Sequence, residues 1–189
     1  MPAAYAYRVQ QFVQAVGSWF QTEKVDDGTM VGYLPPEAVT LFRAMPRYDR
    51  RHALRMLGAL QARGRAEPDL LAAALLHDMG KSGPQPGERL KEPGLERRAG
   101  RVRLWHRVAT VLMRAAWPSL LERIGADSRP GSWRYPFYVQ LRHAAIGASQ
   151  AEQAGCSPRT VDLIRHHEDP AAAGGDPLLV VLQGADNEN

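Results

Sequence analysis

Apolar residues recur along this chain at intervals of three and four, the spacing that gathers them on one face of an α-helix. No segment alternates apolar and polar residues over a useful length, so strands are not expected. Val9, Phe12, Val13, Val16 and Phe20 predict a first helix over 4–20. A loop follows over 21–34, punctuated by Asp26, Asp27 and Gly28. Pro35 and Pro36 suit the first turn of a short helix through Ala44, and Pro46 then breaks the chain. Asp49 is placed to cap a helix running to about Arg63, with Gly64 as its stop. Pro68 opens a helix through Leu70, Leu71, Ala74 and Leu75 that is expected to end at Gly80. Residues 82–100 are rich in Gly, Pro and charge and read as a long loop. Helix resumes over 101–116, with Val102, Trp105, Val108, Ala109 and Leu112 on one face, and a shorter helix over 118–124 follows Trp117. After a loop over 126–134, Pro136 starts a helix that ends before Gly155. Ser157–Pro158 and Asp176–Pro177 each combine a cap with a first-turn proline, for a helix to Glu168 and a last helix near the C-terminus. The pattern predicts one all-α bundle of about eight helices.

Several apolar stripes are interrupted by residues that do not belong in a core. Leu70, Ala74 and His77 share one helical face, and Leu71, Leu75 and Asp78 share the next. A buried carboxylate without a partner is expensive, so Asp78 calls for a counter-charge or a metal. His52 lies one turn before Met56 on a face that includes Leu60, and His143 lies one turn after Val139. His166 and His167 follow Leu163 and Ile164, and Asp186 follows Leu182 by one turn. Inward-facing His and Asp on several helices of one bundle are how imidazole–carboxylate metal sites are built. Such donors suit Fe, Mn, Ni, Co or Zn, and a bridging Asp can serve two ions. The sixth histidine, His106 beside Trp105, reads as an ordinary hydrogen-bonded residue.

Bulk composition narrows this picture little. The 189 residues are 44% hydrophobic and 23% charged, ordinary for one globular domain with a sizeable core. The single cysteine, Cys156, excludes an internal disulfide and fits a reducing compartment. The longest apolar run, Leu70 to Leu76, falls far short of the roughly 18 residues that span a bilayer. The N-terminus has polar residues where a signal peptide needs its apolar run, so a cytoplasmic protein without membrane partners is expected. A net charge of +4 and a pI of about 9.5 favour anionic ligands such as nucleotides and phosphate esters. No helix carries a dense basic face, so nucleic acid ranks last among partners. Trp19, Trp105, Trp117 and Trp133 are expected as core or interface anchors.

The order His52, His77–Asp78, Asp186 resembles the H…HD…D signature of the HD superfamily of metal-dependent phosphohydrolases. LLAAALLHDMGKS (70–82) is similar to that family's apolar helix ending in His-Asp-x-Gly-Lys. RHALRML (51–57) resembles its first-histidine helix, and LLVVLQGADNEN (178–189) its final aspartate helix. HAAIGASQAEQAG from His143 and VDLIRHHEDP ending at Pro170 resemble the added histidine motifs of branches with an expanded site. Those branches include the HD-GYP phosphodiesterases and the bacterial HD-type dinucleoside tetraphosphate hydrolases. The Gly-Tyr-Pro element is absent after Glu168, where the chain reads DPAAAGGDP. The resemblance covers about 48–188, and it implies an HD domain over 48–189 with residues 1–47 as a helical extension packed on it.

Carried over motif by motif, the resemblance implies a first metal held by His52, His77, Asp78 and Asp186. Asp78 would bridge to a second held by His143, His166 and His167, with either or both of the adjacent pair ligating. Lys81 is placed to stabilise phosphoryl charge, its alternative being a solvated cation at a helix end. Arg142 and Arg165 are candidate phosphate contacts, their alternative being surface charges. The basic stretch from Arg89 to Arg107 reads as a lid or as a solvated loop. The implied activity is hydrolysis of a phosphoester or phosphoanhydride in a nucleotide or dinucleotide, catalysed with Asp78 and Lys81. The alternatives are a non-catalytic nucleotide-sensing module and, last, a structural or nucleic-acid-binding domain.

Overall fold

The computed structural model describes residues 29–82, 102, 104–127, 129, 131–169 and 175–188. The helix expected over 4–20, Trp19 and most of the loop over 82–100 lie outside them. Eight α-helices occur among the described residues: α1 (Pro36–Ala44), α2 (Arg47–Ala62), α3 (Pro68–Leu76), α4 (Leu104–Ala116), α5 (Pro118–Ile124), α6 (Tyr135–Gln153), α7 (Pro158–His166) and α8 (Pro177–Glu188). Single 3-10 turns stand at Thr29–Gly32 and Met79–Ser82, and no strand is present among the described residues. The all-α expectation holds.

Helix α3 forms the axis of the bundle. Every residue from Leu70 to Leu76 is buried, because α2, α7 and α8 all pack against it. One core runs from Met30, Phe42 and Met45 through Met56, Leu60 and the α3 leucines to Leu163, Ile164 and Leu182. None of these helices is long and apolar enough to cross a membrane.

Most boundaries follow from local chemistry. Gly64 (φ +73) and Gly155 (φ +78) adopt the left-handed conformation just past α2 and α6. Paired returning bonds close both ends, Arg65 N–H to Leu60 O with Gly64 N–H to Gln61 O, and Cys156 N–H to Ala151 O with Gly155 N–H to Glu152 O. Ser157 Oγ accepts from Thr160 N–H at 3.0 Å, and Asp176 Oδ1 accepts from Leu178 N–H, also at 3.0 Å. Ser157 also bonds Asp69 of α3. Ser157→Ala is therefore expected to lower stability by about 1 kcal/mol, read as a drop in urea midpoint with unchanged slope.

Three expectations are corrected. Asp49 is not a cap: α2 begins at Arg47 after Pro46, and Asp49, 1% exposed, is turned inward to Arg107. Helix α3 ends at Leu76 rather than Gly80, because the chain tightens into the 3-10 turn, where Lys81 N–H donates to Asp78 O. Trp105, Trp117 and Trp133 do not anchor the core, being 53%, 63% and 64% exposed, which leaves the interface reading for these three. Leu112 is exposed with Trp105, while His106 and Thr110 on the other side of α4 are buried. The Arg107–Asp49 pair turns the polar side of α4 toward the bundle.

Candidate metal centre

The turn after α3 is pressed against α6 backbone to backbone. A Cβ at Gly80 would lie 2.1 Å from His143 O and 2.8 Å from Gly147 N. Gly147 answers from the other side, where a Cβ would meet Gly80 N at 3.3 Å. Glycine at both positions lets the His77–Asp78 turn approach the helix that carries His143. Helix α2 brings His52 from one side, and α7 and α8 bring His167 and Asp186.

Three of the imidazoles and Lys81 converge on Asp78 Oδ1. The Nε2 atoms of His77, His143 and His167 lie 3.6, 3.5 and 3.9 Å from it, and Lys81 Nζ lies 2.6 Å away. Asp186 Oδ1 stands 2.8 Å from His52 Nε2 and 3.6 Å from His77 Nε2. His143 Nε2 also approaches His167 Nε2 at 3.2 Å and Glu168 Oε1 at 3.6 Å. His52, His77, Asp78, His143 and His167 are all buried.

Three of the imidazoles are oriented alike. Nδ1–H of His77 donates to Ala74 O, that of His143 to Gln140 O, and that of His167 to Ile164 O, at 3.0, 2.9 and 2.7 Å. With Nδ1 tied to the preceding turn, each Nε2 is aimed at the cluster, the arrangement that fixes ring and tautomer in ligating histidines. Burial, then Lys81 and the neighbouring His167, holds His143 well below the ordinary imidazole range. Burial and His77 bring His167 down to about 4. Both are neutral at pH 7, with a lone pair at the cluster.

His77 behaves differently. Burial pulls its imidazole down, but Asp78 and Asp186 outweigh that and push it up to about 9. Burial raises Asp78 and Asp186 too, yet Lys81 and the histidines hold Asp78 well below the carboxylate range, and His52 and His77 do so for Asp186. The carboxylates thus stay ionised and demand positive charge between them. His77 Nε2 is buried with no hydrogen-bond partner.

A divalent ion fits this donor set. Two ligand atoms each about 2.1 Å from one ion sit roughly 3–4 Å apart, the separations found here. Within each of two groups, His52–His77–Asp78 and Asp78–His143–His167, the ligand atoms all lie within 4.8 Å of one another, and Asp78 is common to both. The mixed imidazole–carboxylate set suits first-row transition metals.

The remaining candidates fall elsewhere. His166 is turned to Asp169 (2.7 Å) and Asp162 (3.6 Å), away from the cluster that its neighbour His167 joins. Arg142 is exposed and reaches Glu122 of α5 at 4.0 Å. Arg165 is exposed on α7. Lys81 is not a solvated end-of-helix cation, since it is largely buried and bonded to Asp78.

Four residues that were given no part in the metal site, Glu168, Asp49, Arg107 and Arg114, lie in its neighbourhood. Glu168 adds a carboxylate beside His143, and burial together with Asp78 and Asp186 lifts it above its ordinary range. Its position next to His167 was the available signal. Asp49 lies three residues before His52, hence on the same face of α2, and its carboxylate takes Arg107 Nη2 at 2.9 and 2.8 Å. Arg114 reaches Glu168 at 3.9 Å.

Comparison with family models, curated proteins and solved structures gives no match to the chain. The resemblance to the HD superfamily rests on the motif residues themselves.

Proposed function

We propose that the chain is a metal-dependent phosphohydrolase of the HD type, acting on a phosphoester or phosphoanhydride bond of a nucleotide or similar small molecule. The observation that carries this reading is the convergence of His77, His143 and His167 on Asp78 Oδ1, with His52 in the same ligand group as His77 and Asp78, and Asp186 beside His52 and His77. His52, His77, Asp78 and Asp186 would hold one ion, and Asp78, His143 and His167 a second, with Glu168 beside it. A bound divalent ion supplies a Lewis-acidic centre that lowers the pKa of water and neutralises phosphoryl charge.

The protein's own groups do the rest. Lys81 holds Asp78 in place at 2.6 Å and keeps a cation beside the reacting group. The backbone carbonyls of Ala74, Gln140 and Ile164 lock three imidazoles, so the donors are preorganised. The same reading assigns residues 48–189 to the HD domain and 1–47 to a helical extension.

Elemental analysis tests this directly. Protein reconstituted with Mn, Fe, Ni, Co or Zn is expected to retain two ions per chain and to hydrolyse members of a nucleotide and dinucleotide panel. No retained metal under any of these conditions overturns the reading. Metal uptake with tight nucleotide binding and no product favours the sensing module instead.

A further inference from the structure

Helix α4 meets the cluster with polar side chains. Arg107, Thr110 and Arg114 follow at spacings of three and four, so they share one side of the helix. Arg107 stands at one flank, gripping Asp49 of α2, with its charge felt at Lys81 and Asp78. Arg114, roughly 10 Å further along the axis, stands at the other flank, where it reaches Glu168 beside His143. Thr110 lies between them.

Two donors on this strip are buried and have no partner, Arg107 Nε and Thr110 Oγ1. Thr110 is 3% exposed, yet its hydroxyl does not take the carbonyl one turn back, the usual refuge of a threonine inside a helix. An unmatched buried donor costs about 1–3 kcal/mol. Two of them on one helical side, one of them in the Arg107 guanidinium and with the Arg114 guanidinium further along, call for a ligand that brings several anionic acceptors. Arg114 is half-exposed and only loosely held by Glu168, so its head is free to turn to such a ligand. Guanidinium forks match phosphate oxygens better than point charges do. The strip is longer than one phosphoryl group.

We propose that α4 is the anion-binding strip of this site, and that Arg107, Thr110 and Arg114 hold a second phosphoryl group of a substrate whose first lies at the His/Asp cluster. The substrate class is then a compound with at least two linked phosphoryl groups. The proposal rests on the phosphohydrolase reading above.

The test is calorimetric titration of the full chain loaded with Mn²⁺, its metal content measured before and after. The probes are inorganic phosphate, inorganic pyrophosphate and ADP. Wild type is expected to bind pyrophosphate and ADP at least about tenfold more tightly than phosphate, the scale of one charge-assisted hydrogen bond. Thr110→Val, Arg114→Gln and Arg107→Lys are each expected to cost about tenfold in pyrophosphate affinity, with phosphate affinity and metal content unchanged. Thr110→Val is close to isosteric and Arg107→Lys keeps a cation facing Asp49, so the fold is retained, as circular dichroism would confirm. Equal binding of phosphate and pyrophosphate by wild type, or variants that match wild type, overturns the strip and leaves the metal centre standing. Failure to take up Mn²⁺ is seen before any anion is added, and overturns the phosphohydrolase reading and this proposal with it.

Discussion

Asp78→Ala is expected to remove bound metal and phosphoester turnover together. Asp78 Oδ1 is the point on which His77, His143, His167 and Lys81 all close, and it belongs to both candidate triads. Loss of a mere outer partner of a metal ligand already costs about 10–100-fold in affinity or activity, so loss of the shared carboxylate should exceed that range. The same change leaves the Lys81 ammonium without its 2.6 Å partner, and breaking a buried pair costs about 3–5 kcal/mol. Asp78→Asn, which keeps the volume, separates the two effects. It is expected to retain helical content and to lose metal all the same. The measurements are metal per chain, turnover on the nucleotide panel, and circular dichroism. Undiminished turnover in folded Asp78→Ala would refute the metal-centred mechanism.

Gly80→Ala is the second large effect, and it acts through the backbone. The added methyl would lie 2.1 Å from His143 O and 2.8 Å from Gly147 N, both main-chain atoms that no rotamer change can move. Overpacking typically costs about 1–3 kcal/mol, and contact with backbone places this case at the upper end. For a chain of this length, about 3 kcal/mol corresponds to roughly 6–12 °C in Tm. Relief requires α6 to move away from the turn, carrying His143 from Asp78, so metal content should fall as well. Gly58→Ala is the control. It lies inside α2 with nothing within 4 Å of its would-be Cβ, so alanine there is expected to stabilise by about 0.5–1 kcal/mol. Thermal melts and elemental analysis of the two variants decide the matter. An unchanged melt and full metal content in Gly80→Ala would show that the close approach is not needed.

The contrast between Gly80 and the glycines at the helix ends shows what could be read in advance. Gly64 and Gly155 act locally, as left-handed stops, and were legible as such because a helix end is a property of a few consecutive residues. The caps at Ser157 and Asp176 were legible for the same reason. Gly80 was visible as part of a motif, but its contact lies on α6, more than sixty residues away, and no local pattern records it.

The histidines divide along the same line. Apolar periodicity placed His52, His77, Asp78 and His143 on inward faces, and the structure buries all four. For the adjacent pair His166–His167, periodicity left the choice open, because neighbours on a helix are only about 100° apart. Packing of α7 against α6 decided it: His167 meets His143, and His166 is left to Asp162 and Asp169. Asp49 was misread as a cap because Asp in a first turn suits that role, and its true partner, Arg107, lies on a distant helix.

The sequence by itself therefore determined the all-helical class, most helix ends, and that His52, His77, Asp78 and His143 turn inward, since all three depend on spacing along the chain. Only the tertiary structure decided which of them meet, which flank α4 presents to them, and that Glu168, Arg107 and Arg114 belong to the same neighbourhood. Helical period specifies a direction about an axis and carries no information about the helix on the other side. That information resides in the packing, where two glycines permit the contact and one buried Arg–Asp pair turns α4.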